Sequence, residues 1–269
     1  MTAAVVARPR RGGVLAGLRS ERVLLGLAGF LSVLIIWELA VQLGFLRRAI
    51  LSSPSLMLQL AIRDFGSGRL LDDIRVSLTE FGLGYGAALL TGIPLGMALG
   101  FNRRLHAFVN PWLGAIYATP TIALLPIIVI FFGIGIESKV IVVWMEAFVV
   151  ITVSTLTGTG AIEDRYLNIA YSFKASRWFT FRTVAWPSVI PFMLAGARLG
   201  VGRALVGVIV AELLASNAGI GYYITLAGST LNITGVMLGV VLIGLFGVIT
   251  GEAIRRLERR FEAWRPEIN

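Results

Sequence analysis

The sequence predicts an all-α polytopic membrane protein with about six transmembrane helices, on three observations. Of its 269 residues 57% are apolar and only 14% charged, with a mean hydropathy of +0.83; a soluble domain carries about 45–50% apolar and about 25% charged residues. Six stretches are apolar over the roughly 20 residues that a helix needs to cross about 30 Å of hydrocarbon with its backbone satisfied internally. The basic residues, 24 against 15 acidic, are arginine except for Lys139 and Lys174, and they cluster on alternate loops.

In chain order, residues 1–22 form a basic tail and 23–45 a first span that is too long and too weakly punctuated for a cleaved signal peptide, so it reads as a signal anchor. Residues 46–77 form an extracytoplasmic segment. The core of 78–254 carries the remaining spans: Leu78 to Gly100, Phe108 to Phe132, Val140 to Leu156, Val189 to Leu214 and Val236 to Ala253. The third span is interrupted by Pro111, Pro120 and Pro126, and the fourth carries Glu146 at its middle. Residues 255–269 form a second basic tail. With the amino terminus inside, sixteen basic residues fall on inner segments and six on outer ones, which places both termini in the cytoplasm. The net charge of +9 beside such apolar runs points to anchoring at anionic lipid rather than to nucleic acid. Steps of the G-x-x-x-G kind, Gly92–Gly96–Gly100, Gly196–Gly200, Gly235–Gly239 and Gly247–Gly251, allow close helix approach, either within one bundle or at a dimer face.

Enzymatic chemistry is poorly supplied. Cysteine is absent, which removes disulfides, thiolate metal sites and cysteine nucleophiles, and the single histidine, His106, reads as an interfacial residue. No G-x-x-x-x-G-K-[ST], G-x-S-x-G or H-E-x-x-H occurs. Gly82, Gly84 and Gly86 lie inside an apolar span with no preceding strand, so they do not make a dinucleotide loop. Ionisable residues inside spans are costly, and they face either interhelical partners or a solute path. They are Glu38, Glu80, Glu146, Arg198, Arg203 and Glu212, of which Glu146, Arg198, Arg203 and Glu212 are the candidate path residues. The spacings along the fifth span do not stack Arg203 on Arg198 or Glu212, which puts their partners on other helices.

The inner loop at 157–187 is too polar to span and too aromatic for a plain linker. Tyr166, Ile169, Ala170 and Phe173 follow helical spacing and predict an amphipathic helix from about Tyr166 to Ser176, able to lie on lipid or to dock into a partner's groove.

At this point the chain resembles the membrane-spanning permease of a type I ATP-binding cassette importer, in the nitrate, sulfonate, taurine and bicarbonate branch. The likeness rests on Asp73 to Ser77 followed by Gly82 to Gly86, Gly92-Ile93-Pro94-Leu95-Gly96, Pro120 to Pro126, Phe132-Gly133-Ile134-Gly135, Ala175-Ser176-Arg177-Trp178 and the stretch from Gly202-Arg203 to Glu212-Leu213-Leu214. The family's Glu-Ala-Ala, three residues, then Gly appears here as Asn168-Ile169-Ala170 and Lys174, so the glutamate and the glycine are both replaced. The resemblance implies a permease fold whose inner loop is a coupling helix, with Asn168, Ile169, Ala170, Phe173, Lys174, Ala175 and Ser176 contacting the ATPase. It implies no cofactor in this chain, ATP and magnesium being held by ABC ATPase subunits. It further implies an extracytoplasmic solute-binding protein, a second permease copy in a homodimer, and residence in a bacterial inner membrane. The solute would be a small anion of the nitrate, sulfonate, taurine, bicarbonate or organic-acid type. An ion-coupled secondary transporter using Glu146 is the competing class; it commonly shows internal repeats, and none is evident.

Overall fold

A computed structural model describes residues 12–45 and 50–262, and among them every regular element is helical. The segments 1–11, 46–49 and 263–269, which include Arg47, Arg48 and part of each basic tail, lie outside the described residues.

The first span is α1 (Gly12–Gln42), followed by a short α2 (Pro54–Gly66). Ser53 caps α2 by accepting from Leu56 N–H, and Pro54 occupies the first helical turn, where its missing N–H costs nothing. Glu38 near the end of α1 accepts from both the N–H and the hydroxyl of Ser55, which ties α1 to α2. Most of α1 is otherwise exposed from Leu24 onward, as suits a helix whose solvent is lipid.

Three long helices make the centre: α3 (Arg69–Phe101), α6 (Ile136–Gly160) and α9 (Trp186–Ala215). Phe81, Ala88, Val143, Ala147, Ile151, Val201, Ala204 and Val208 form their common core. The helices approach closely because glycines line the seams. A Cβ on Gly92 would lie 3.1 Å from Phe148 O, and one on Gly196 would lie 2.6 Å from Ser154 Cβ. The Gly92–Gly96–Gly100 and Gly196–Gly200 steps therefore pack within one bundle. Gly235 and Gly239 meet Ala227 and Ile224 of the neighbouring helix in the same way.

The third span, which the sequence marks as interrupted by Pro111, Pro120 and Pro126, is broken at one of the three. It is a pair, α4 (Arg103–Ala118) and α5 (Thr121–Phe132), bent by 96° at Thr119–Pro120. Thr119 is extended (φ −79°, ψ 124°), as the residue before a proline must be, and Pro120 has no N–H to continue the ladder. Pro111 and Pro126 stay inside their helices.

After α6 come α7 (Asp164–Ser172), α8 (Arg177–Thr180) and one π-helical turn at Phe181–Ala185 that leads into α9. At the other end of the bundle α9 is followed by α10 (Ile220–Ser229) and α11 (Ile233–Glu262). Neither α2 nor α10 is evident from hydropathy, since both are too short to span. Leu70, Tyr223 and Leu238 pack α3, α10 and α11 together, and Tyr223 donates from its hydroxyl to Asp64 of α2 at 2.8 Å. The bundle thus has a loop end, with α7 and α8, and an α10 end.

Candidate functional site

The residues singled out by sequence fall in three places. At the loop end, α7 is amphipathic and has no buried residue. Ile169 is 54% exposed and Phe173 83%, with Tyr166 and Tyr171 also open and Ala170 half-buried. The helix stops at Ser172, earlier than the predicted Ser176, and the stop is a Schellman motif. Lys174 N–H donates to Tyr171 O at 2.9 Å and Ala175 N–H to Ala170 O at 3.0 Å, with Lys174 at φ 52°. That left-handed conformation suits glycine and costs an ordinary residue about 1–2 kcal/mol; the substitution seen at Lys174 thus falls on the one backbone position in this loop that favours glycine. Ser176 then starts α8 by accepting from Phe179 N–H. Trp178 stacks on Phe181 at 5.6 Å, and Phe181 meets Phe101 edge-on, which binds the loop to the ends of α3 and α9.

At mid-span, Arg203 of α9 and Glu146 of α6 are brought together, Nη1 to Oε2 at 3.8 Å. The partner of Arg203 is on another helix, and the spacing alone does not say which. The Glu146 stem lies against Gly207, where a Cβ would be 3.2 Å from its Cγ. Glu146 is largely enclosed while about half of the Arg203 side chain is exposed, beside Leu199, Gly202 and Val206, which are exposed too. Arg198 also opens outward and has a partner. An arginine so exposed at this depth is costly against lipid, so the face is one that protein or water covers.

Glu212, the fourth candidate, does not join them. It is 1% exposed and belongs to a buried polar cluster at the α10 end that sequence reasoning did not assemble. Three consecutive backbone N–H groups at the start of α10 have no local cap. They are taken instead by side chains from elsewhere: Gly219 N–H by Asp73 at 2.8 Å, Ile220 N–H by Ser77 at 2.9 Å and Gly221 N–H by Glu212 at 2.6 Å. Ser77 in turn donates to the other Glu212 oxygen at 2.5 Å. Gly219 sits at φ 106°, and a Cβ on Gly221 would be 2.7 Å from Ile209 O, so both positions require glycine. Lys139, counted among the outer basic residues by sequence, is 2% exposed and donates to the carbonyls of Ile134 and, at 3.1 Å, Gly135. The signal for part of this cluster was present: Asp73, Ser77 and Glu80 fall on one helix face. Their partners on α9 and α10 lie more than 130 residues away.

Among the described residues no group of three or more histidine, aspartate or glutamate side chains is arranged to hold a metal ion.

Comparison with known proteins gives the framework. Residues 92–263 match the model of a family described as the binding-protein-dependent transport system inner membrane component. The taurine transport system permease of Escherichia coli (strain K12) is 28% identical over 254 residues, covering 93% of this chain and 92% of that protein. The formylaminopyrimidine transport permease of Halalkalibacterium halodurans is 30% identical over 240 residues, covering 88% and 94%. Among solved structures, the inward-facing methionine ABC transporter MetNI superposes with a TM-score of 0.64 at 17% identity, over 76% of this chain and 97% of that one, and so shares the fold. The family model covers well over half of the chain and a relative is 30% identical over most of it, so the chain belongs to the family of binding-protein-dependent ABC importer permeases, as a membrane-embedded transport component.

Proposed function

We propose that this chain forms half of the translocation pathway of an ATP-driven importer for a small anion, and that α7 is the lever by which separate ATPase subunits move it. The observation that carries the reading is α7 itself: a helix outside the spans with no buried residue, whose apolar side chains Ile169 and Phe173 are held open by a defined stop at Lys174. An unpartnered amphipathic helix of this kind fits a groove on another protein. Asn168, Ile169, Ala170, Phe173, Lys174, Ala175 and Ser176 would form that contact, and the π turn at Phe181–Ala185 would pass its motion to α9 as a rigid-body switch. ATP and magnesium belong to the ATPase subunits, and an extracytoplasmic binding protein delivers the solute.

The orientation follows the arginines: both termini, α7 and α8 in the cytoplasm of a bacterial cell, the α10 end outside. A second copy of the chain closes the exposed face of α9, so that Arg203, paired with Glu146, lines the path together with Arg198. Glu212 acts on the path through α10. Lipid covers α1 and the outward faces of α5 and α11. An exposed guanidinium suits an oxyanion such as a carboxylate, sulfonate or nitrate, and similar proteins are named for transport of taurine, aliphatic sulfonates and nitrate.

The test is reconstitution in liposomes with an ABC ATPase and a solute-binding protein that co-purify with the chain. Uptake that needs ATP and is lost with Ala170→Asp is expected. Uptake driven by a proton or sodium gradient without ATP would contradict the reading.

A further inference from the structure

At the loop end the bundle carries arginines that the chain itself leaves unneutralised. Between Glu80 and Glu137, and again between Asp164 and Glu212, the sequence has no acidic residue. The first stretch contributes Arg103 and Arg104 at the start of α4, the second Arg177 of α8 and Arg182 of the π turn, and all four are exposed. Among the described residues none of the four has an ion-pair partner. The other arginines described at this end differ: Glu163 takes Arg165, and Glu252 takes both Arg255 and Arg256.

Ring contacts bring the two stretches together. Phe101, two residues before Arg103, meets Phe181 edge-on at 5.9 Å. Phe181, the neighbour of Arg182, stacks at 5.6 Å on Trp178, the neighbour of Arg177, and lies 6.1 Å from Trp186. Phe101 ends α3 and Trp186 begins α9, so the ring cluster sits where two spans leave the hydrocarbon. Its outer members, Phe101, Trp178 and Trp186, are exposed, and so is Phe179 beside them. Aromatic rings at that level settle among headgroups and upper acyl chains, and a planar guanidinium pairs with the two free oxygens of a phosphodiester.

We propose that Arg103, Arg104, Arg177 and Arg182 form a site for the phosphodiester of an anionic phospholipid, one lipid per chain, whose acyl chains run along Phe101 and Trp186. A lipid fits better than an acidic protein surface because these arginines are interleaved with exposed rings at the ends of two spans, whereas the apolar face that α7 offers to a protein lies on Ile169 and Phe173. Seated there, the lipid joins the α3–α4 turn to α8 and the π turn, the segment that connects α7 to α9. A zwitterionic headgroup brings its own cation to the arginines and is held weakly, so the site selects net negative charge. The proposal does not depend on the importer reading.

The full chain in detergent, without ATPase subunits, tests it by native mass spectrometry with added phosphatidylglycerol or phosphatidylcholine. One phosphatidylglycerol per chain is expected to bind roughly tenfold or more tightly than phosphatidylcholine. Arg177→Gln/Arg182→Gln should lose most of that preference, while Arg255→Gln/Arg256→Gln, which removes the same charge elsewhere on this end, should keep it. Equal binding of the two lipids, or a preference unchanged in Arg177→Gln/Arg182→Gln, would overturn the proposal, and ATPase co-purification lost in that variant at unchanged lipid preference would assign the patch to a protein partner instead. Millimolar inorganic phosphate should not displace the lipid; displacement would make a free anion the occupant and overturn the lipid. If the variant does not reach the membrane, wild type decides: hydrogen exchange at the amides from Arg177 to Ala185 must be slower in nanodiscs containing phosphatidylglycerol than in phosphatidylcholine alone, and equal exchange in both would overturn the proposal.

Discussion

The two ends of the bundle solve opposite problems. At the α10 end the N–H groups of Gly219, Ile220 and Gly221 each meet a side chain from α3 or α9, the groups involved are buried, and glycines are required for fit. At the loop end α7 is complete as a helix yet leaves its apolar face open, and the bundle core contains none of it. At one end backbone donors and side chains meet within the chain; at the other Ile169 and Phe173 stay exposed. Substitutions at the first should therefore act on stability, and substitutions at the second on association, and the two effects separate experimentally.

The largest expected effect is at the closed end. Glu212→Ala removes the acceptor of Gly221 N–H and of the Ser77 hydroxyl together, leaving both donors buried without partners. The loss is expected to be about 3 kcal/mol or more, read as a lower melting temperature in detergent and less protein in the membrane fraction. Unchanged melting with lost uptake would instead return Glu212 to the path with Arg203.

Next is the open end. Ala170→Asp places a charge on the half-buried seam of α7 and is expected to weaken ATPase association by about 2–4 kcal/mol, some 30- to 1,000-fold. The melting temperature of the isolated chain should stay within a degree or two of wild type. Co-purification with the ATPase reads the first and a thermal scan the second.

Arg203→Ala lies between the two regions. The side chain is half exposed and its ion pair with Glu146 is long, so stability should change by less than about 1 kcal/mol while uptake falls at least tenfold. Arg203→Lys should recover only part of the uptake, because an ammonium does not offer the planar fork. A variant lost from the membrane would make the pair structural.

The smallest effect is expected at Lys174. Lys174→Gly relieves a left-handed residue and should stabilise the end of α7 by about 0.5–1 kcal/mol, seen as slower hydrogen exchange at Lys174 and Ala175 N–H, which close the stop. ATPase binding should persist. If it is abolished, the lysine makes a contact of its own with the partner.

Much of this contrast was legible in the sequence, for physical reasons that differ by region. The spans follow from hydropathy, and the helix at the loop end from the spacing of Tyr166, Ile169, Ala170 and Phe173, because both signals are local. Its end was not, since nothing in the residue type of Lys174 announces a left-handed turn. The bend at Thr119–Pro120 was marked by its proline, but two other prolines in the same stretch leave their helices unbroken, so the residue type alone did not say which would break it. The cluster at the α10 end was the least legible part. Asp73, Ser77 and Glu80 share a helix face, but what they hold is a helix start on a distant segment whose cap is supplied by tertiary structure rather than by its own residues.

Hydrogen exchange on the full chain in nanodiscs, with and without its ATPase subunits, tests the central contrast most directly. The account predicts that the α7 amides from Asp164 to Ser172 exchange fast in the isolated chain and become protected when the ATPases bind, while Gly219 to Tyr223 are protected in both states. Protection of α7 without the ATPases, or no change on binding them, would contradict it.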